Sequence, residues 1–425
     1  MKIKMKVSGR LGLKDFLMFV AILCVYSSAL LEHVSISIPA FSALMFPILY
    51  IGGLCILMQT GTLLRKFLKK KYFYTLLVVL AFCAVVLVSA VVNRHPYVGT
   101  NPMRTSLRLV LYLLELFALA VWIAETGKWK YALNILFWYV LLLTVVTDAL
   151  FFSRLVVFKK GKTENYLVGT KFSVSYLHMY LLMLWVLRFR MQKRYVKKSK
   201  RLLIVALPII VAVAIRLDCM TGVIGGILLI LLLLMVDSKI QKRFLRLSGP
   251  FRIFLLMAAT VLFPFIAERI LSIPIVAYTV EDILGRDLTL TGRLMIFNQF
   301  GRKMHGNWLW GYGYGNGNVA AEHFFRCANA QNALLHWILQ GGIAVAAAIV
   351  TLVLMIFKRF SHCTRKKEIM PIAALVYVIV ILGMVETTYN LCFFLWLALI
   401  FAFVNERLPQ KAEPQTLLNE KDSLT

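Results

Sequence analysis

The sequence predicts an all-α polytopic membrane protein of about twelve transmembrane helices with one large loop that contains short helices. Three observations predict it. Apolar runs of about 20 residues recur along the chain, the length at which a helix crosses a bilayer. Hydrophobic residues make up 60% of the sequence and the mean hydropathy is +0.79, well above a soluble domain. One long polar stretch, 272–332, interrupts the runs, and a segment of that size needs a fold or a function of its own.

In order, the apolar runs place helices at 15–32, 40–61, 72–92, 106–125, 131–153, 169–187, 202–217, 219–237, 253–271, 333–357, 369–388 and 390–404. The first follows Lys2, Lys4, Lys6, Arg10 and Lys14 with no small-residue cleavage site after it, so it reads as an uncleaved span. The seventh and eighth form a tight pair around Leu217 and Asp218, short enough to be partly re-entrant. Residues 1–271 are then an N-terminal bundle, 272–332 the loop, 333–404 the C-terminal helices, and 405–425 a polar cytoplasmic tail read as disordered.

The net charge is +29, which in a soluble protein would suggest nucleic acid. Its distribution points elsewhere. With the N-terminus inside, roughly two thirds of the Lys and Arg fall in alternate, inner segments, densest from Arg188 to Arg201, as the positive-inside rule requires. Both termini are then cytoplasmic and 272–332 lies outside. The remaining cations were carried across the bilayer. They include Arg104, Arg108, Lys171, Arg216, Arg286, Arg293, Arg302 and Arg326, and few acids face them. A net basic outer face suits an anionic ligand, while Lys159, Lys160 and Lys162 suit lipid headgroups. Arg108, Asp148, Lys171, His178, Arg216 and Glu386 lie at similar depth near the outer ends of spans, which implies one water-filled cavity opening outward. Glu115 is deeper, two turns from Arg108, and reads as its ion-pair partner by way of Tyr112.

The seven cysteines show no paired spacing, and most sit in apolar runs, where Cys packs as a small hydrophobe. Neither a disulfide framework nor a metal site follows. Nucleophile-elbow and zinc-protease motifs are absent, so hydrolase and metalloenzyme readings have no support, and no cofactor is expected.

Within the loop, Leu294, Met295, Ile296, Phe297 and Phe300 read as a short amphipathic helix at the interface. Thr291 caps it, leaving Gly292 and Arg293 in its first turn. A helix N-terminus beside an arginine is a phosphate site; the same arginine would also anchor the helix to headgroups. The run Gly311 to Asn318 lacks the Lys-Ser/Thr of a nucleotide loop. Its Tyr312 and Tyr314 suit a sugar, and the run equally suits a plain turn. Asn332, His336 and Gln340 share one helix face. Interhelical hydrogen bonding fits Gln340, and substrate contact fits Asn332 and His336 at the mouth.

These residues, in this order, resemble the O-antigen ligase and polysaccharide polymerase family (Wzy-type polymerases). The matching stretches are Thr291-Gly292-Arg293, Gly311 to Gly317, and Ala330-Gln331-Asn332 followed by Leu335 and Gly341-Gly342-Ile343. Two further stretches, Gly169 to His178 and Cys219 to Gly225, are similar to Gram-positive capsular and exopolysaccharide polymerases. The resemblance covers roughly 165–345. It implies a glycosyltransferase at the outer face that joins repeat units carried on undecaprenyl diphosphate, without metal or nucleotide sugar. Membrane lipids, a flippase and chain-length regulator proteins are the partners it implies. External arginines would hold the diphosphate and stabilise its growing charge: Arg293 and Arg216 first, then Arg286 or Arg108, with Lys171, His178, Gln331, Asn332, Tyr312 and Tyr314 also contacting substrate. Family ligases carry a His where this chain has Gln331, and an amide is no general base. Glu322, His323 and His336 are the candidates for that role. A ligase acting on another acceptor, and an exporter of the same lipid-linked sugar, are the alternatives.

Overall fold

A computed structural model describes residues 12–32, 34, 39–59, 65–94, 100–153, 158–160, 163–192, 196–236, 249–283, 287–288 and 292–406. Thr291, Arg286 and the 407–425 tail lie outside the described residues. A helix stands at each of the twelve expected segments: α1 (Leu13–Leu30), α2 (Pro39–Leu57), α3 (Lys70–Val92), α4 (Pro102–Thr126), α5 (Trp129–Phe152), α6 (Lys171–Met191), α7 (Val196–Arg216), α8 (Met220–Val236), α9 (Pro250–Leu271), α13 (Ala333–His362), α14 (Lys366–Leu382) and α15 (Leu391–Val404). Between α9 and α13, among the described residues, come three short α-helices, α10 (Pro274–Tyr278), α11 (Arg293–Lys303) and α12 (Gly317–Phe325), and a π-helical turn at Thr279–Ile283. Among the described residues, seven helices are long and apolar enough to cross a membrane, namely α1, α3, α4, α5, α6, α9 and α13. The chain is an α-helical polytopic membrane protein. One departure from an all-helical chain is a small hairpin, Phe158–Lys160 against Thr163–Asn165, antiparallel with Phe158 opposite Asn165.

Helix α15 is apolar all round, and Leu391 to Phe403 are all buried. That pattern belongs to a helix surrounded by others, and α15 packs against α1, α4, α13 and α14. The ends of the bundle are chemically distinct. At one end Arg190 donates to the Lys367 and Val236 carbonyls, Lys71 to the Asn405 carbonyl, and Arg365 pairs with Glu368 and Glu406. The other end carries asparagine caps: Asn101 on α4, Asn332 on α13 and Asn390 on α15 each accept a hydrogen bond from an N–H in the first turn. The long loop lies at this second end.

Part of the loop is built into the bundle. Helix α13 is broken at Gly342 (φ 74, ψ −177). The break separates the Leu339 carbonyl from the Ile343 N–H, which an unbroken helix would join. The loop satisfies both: the Tyr312 N–H donates to Leu339 O at 2.9 Å, and the Ile343 N–H donates to Trp308 O at 2.8 Å. Ser89 of α3 donates to the Trp310 carbonyl at 2.7 Å. Buried backbone groups in lipid must find protein partners, and here one strand of loop supplies them. Gly311 is the other half of the fit, since a Cβ there would lie 2.7 Å from the backbone of α13. The Gly-rich run is therefore a packing device. The Tyr314 ring stacks on Trp337 at 5.3 Å, and the Tyr312 ring packs on Phe324 at 4.9 Å while its hydroxyl donates to the Lys303 carbonyl. Both tyrosines are half-buried and each spends part of its ring on a protein neighbour.

A Cβ on residue 342 would fall 2.0 Å from the Leu309 oxygen, and its dihedrals are essentially restricted to glycine. Gly342→Ala should lower the thermal unfolding midpoint of the detergent-solubilised protein, by the equivalent of about 2 kcal/mol or more. Gly301→Ala is the control. It sits mid-helix in α11 with nothing within 4 Å of an added Cβ, so it should be neutral or stabilising by up to about 1 kcal/mol.

Candidate functional site

Arg293 is the first residue of α11, which follows Gly292 in a left-handed conformation (φ 82) with no side-chain cap. The helix is fixed by Ile296, Phe297 and Phe300, all buried; it packs on α9 and α12, and Phe300 stacks on Phe325. Ile296, Phe297 and Phe300 thus face protein, while Met295 on the same helix stays exposed. Gly292 is the cap residue, one place later than the sequence pattern suggested.

From that fixed start the Arg293 guanidinium reaches two partners. Its Nε donates to Gln331 Oε1 at 3.0 Å, and Nη2 donates to Glu386 Oε1 at 2.5 Å. Arg293 retains 18% side-chain exposure and Glu386 6%. Gln331 is held in the left-handed region (φ 52), and its N–H donates to Asn329 Oδ1 at 2.8 Å. A non-glycine residue at positive φ is uncommon, and such strain collects at functional sites. Asp218 shares the trait (φ 49). It accepts from Lys171, whose ammonium donates to Asp218 O at 2.7 Å and pairs with Oδ2 at 3.2 Å. Lys171 in turn lies within electrostatic range of Glu386.

Glu386 sits in the connection between α14 and α15, outside both helices. Burial pushes its carboxyl up to about 7, against the downward pull of Arg293 and Lys171. Nearby on α6, the Tyr176 hydroxyl has Glu386 and Thr221 among its polar neighbours. The buried Ser175 hydroxyl completes no hydrogen bond among the described residues. Ser175 faces Gly222, where a Cβ would meet it at 2.6 Å. The stretches 169–178 and 219–225 are thereby brought to the same end as Arg293 and Gln331, and the site gathers Arg293, Gln331, Glu386, Lys171, Asp218 and Tyr176.

Other expected site residues fall elsewhere. His178 is buried; its Nε2 lies 3.1 Å from Asp148 Oδ2 and its Nδ1 2.9 Å from the Val174 carbonyl, so both ring nitrogens are engaged by protein rather than open to substrate. Arg108 pairs with Glu32 at 3.7 Å, beside Tyr314. The expected Arg108–Glu115 pair is not formed: Glu115 Oε2 is buried without a partner, against Gly52 and Gly53 of α2. Arg216 is exposed at the end of α7, with no partner among the described residues. Glu322 and His323 are exposed on α12. His336 packs by Gly317, its Nδ1 buried and without a hydrogen bond. Asn332 is fully buried, its amide spent on protein. The single outward cavity inferred from these charges thus resolves into at least three groups, centred on Arg293, Arg108 and His178.

Asn332 explains the placement of the first group. Its Oδ1 accepts from the Leu335 N–H, and its Nδ2 donates to Thr260 O at 2.7 Å and Met384 O at 3.1 Å. The adjoining Ala333 N–H donates to Gly383 O at 2.8 Å. These bonds hold the residue after Gln331 against the segment that carries Glu386. Sequence reasoning noted Glu386 as an ionisable residue near a helix end and gave it no role; its position five residues before α15 and four before the Asn390 cap was the available signal. No metal-binding group of three or more His, Cys, Asp or Glu occurs among the described residues. No family model, curated protein or solved structure matches the chain.

A carboxyl raised from about 4.5 to about 7 on folding favours the folded state below pH 4.5, and that contribution is lost as pH rises through 7. Glu386→Gln removes the titration. Its thermal midpoint relative to wild type should therefore shift upward between about pH 5 and pH 8. A constant difference across that range would show that Glu386 keeps its ordinary acidity.

Proposed function

We propose that the chain is an integral-membrane glycosyltransferase that polymerises lipid-diphosphate-linked oligosaccharide repeat units at the outer face of a cell membrane. In this reading all twelve long helices span, the termini are cytoplasmic and 272–332 faces outward. The observation that carries the reading is the Arg293 group. A guanidinium stands at the open N-terminus of a helix clamped by buried aromatics, with a second cation, Lys171, close to the same carboxylate.

The chemistry suits such a transfer. As the bond from sugar C1 to the phosphate oxygen breaks, the electron pair moves onto the diphosphate. A planar, permanently charged fork meets that growing charge at two oxygens, and the first-turn N–H groups of α11 add partial positive charge beside it. Pre-placed donors in a site from which water is largely excluded stabilise a transition state more than donors that must reorganise. Gln331 supports the guanidinium from its Nε side, leaving the terminal nitrogens to the anion. In the free protein Glu386 occupies one of them and stands where a phosphate oxygen would bind.

Arg293→Ala should abolish long polymer while lipid-linked single units persist, read on a gel after reconstitution or from cells. Arg293→Lys should be impaired by at least tenfold, because an ammonium lacks the bidentate fork. Unchanged product length in a stably expressed Arg293→Ala protein would defeat the proposal. Accumulation of single units on the inner face of cells lacking the protein would point to export instead.

A further inference from the structure

We infer that Glu386 takes the proton from the incoming acceptor hydroxyl. This rests on the polymerase reading above and supplies the group that Gln331 cannot be. Transfer forms a bond between sugar C1 and the acceptor oxygen. The bond from C1 to the phosphate oxygen breaks, its electron pair leaving on the lipid diphosphate. The acceptor oxygen sheds its proton, which moves to a Glu386 carboxylate oxygen, so charge and atoms balance with no further reactant.

Three observations point to Glu386. It is the carboxylate that touches Arg293, so it stands within one hydrogen bond of where the leaving group would be held. It is buried to 6% exposure, out of bulk water. Among the described residues the buried Ser175 hydroxyl completes no hydrogen bond, and the neighbouring Tyr176 hydroxyl lies close to Glu386. Orphaned buried hydroxyls are rare in folded proteins and call for a partner, and a sugar hydroxyl arriving at the carboxylate would supply one. The other candidates are less well placed. Glu322 and His323 are exposed on α12, and His336 lies by Gly317, in contact with loop rather than with Arg293.

The pair also supplies a sequence of events. In the free protein the carboxylate is engaged by the guanidinium. A diphosphate entering the fork competes for the same nitrogen and releases Glu386 toward the acceptor. The charged and titratable groups that face Glu386 are Arg293 from α11, Lys171 and Tyr176 from α6, and, through Lys171, Asp218 from the α7–α8 turn. The two cations lower the carboxyl and burial raises it, leaving it titrating at about 7. A base of that strength is matched to neutral pH.

The test uses the purified full chain with lipid-diphosphate repeat units. Wild-type elongation should rise about tenfold per pH unit on the acid side and level off above about pH 7 to 8. Glu386→Gln keeps an oxygen for Arg293 and cannot take a proton. It should slow elongation by 100-fold or more and flatten the acid limb, while binding of a lipid-diphosphate analogue stays within about threefold. Glu386→Asp should retain a limb at reduced rate. Full activity of Glu386→Gln, or a wild-type profile flat from pH 5 to 8, overturns the inference and leaves the polymerase reading standing. Weakened analogue binding with an unchanged acid limb makes Glu386 a positioning residue and also overturns it. Failure of the wild type to elongate at all overturns both.

Discussion

The site depends on one buried amide. Asn332 spends its oxygen on the first turn of α13 and its two N–H bonds on carbonyls from α9 and from the α14–α15 connection. Three segments distant in sequence meet there, and no water is needed to complete them. An unsatisfied buried amide costs about 1–3 kcal/mol per lost bond, so the junction has one low-energy arrangement. Everything chemical hangs from it. Gln331 precedes Asn332 directly, Glu386 follows Met384 by two residues, and Arg293 bridges the two. The substrate contact first assigned to Asn332 is replaced by a deeper task, that of setting the distance between an amide and a carboxylate.

Fixing that distance keeps a charge pair where it stabilises little. A half-buried guanidinium and a buried carboxylate lose most of their hydration, and their attraction returns about as much as was lost. The strained backbone at Gln331 and Asp218 adds cost of order 1–3 kcal/mol each. A bundle selected only for stability would carry apolar side chains here. The penalty is tolerable because the surroundings are over-determined: α11 is pinned by buried aromatics, the 383–390 segment is held by Thr388 on Ile379 and by Trp337 on Tyr389, and α15 is encased by four helices. The rigidity needed for packing is the same rigidity that keeps two oppositely charged groups from collapsing into a better-solvated arrangement.

Much of this was legible in the chain. Hydropathy marks the twelve long helices because each is apolar over most of its length, and seven of them, among the described residues, are long and apolar enough to cross a membrane. Their ends were less legible, as with α13, which runs to His362 past the expected 357. Arg293 and Lys171 stood out as cations near helix starts, and Gln331 only through the resemblance, as the position where a histidine was expected. Glu386 did not, because the expected helix 369–388 swallowed it; the turn after Leu382 has no glycine–proline signal beyond Gly383, and hydrogen bonds from residues 50 and more positions away shape it. The Gly-rich run stayed open between two readings for a related reason. Alternating glycine and aromatic residues describe a backbone that packs closely on something, and the sequence does not say whether that is a sugar or the broken back of α13.

That break constrains how a ligand reaches Arg293. If residues 308–312 were a detachable lid, opening it would strip the Leu339 carbonyl and the Ile343 N–H of their partners inside an apolar bundle, at several kcal/mol per orphaned group. The segment is better regarded as part of the bundle that happens to arrive late in the chain. Ser89 and Thr100 reinforce it through Trp310 and Asn316. The opposite flank differs. Lys171 and Asp218 form a pair that is 37% and 73% exposed, Met295 on α11 is exposed, and an exposed ion pair contributes about 1 kcal/mol at most. Giving way there is inexpensive. The Lys171 side, where the contacts to Asp218 are solvated and the ammonium lies within electrostatic range of Glu386, is therefore the less costly approach to Arg293.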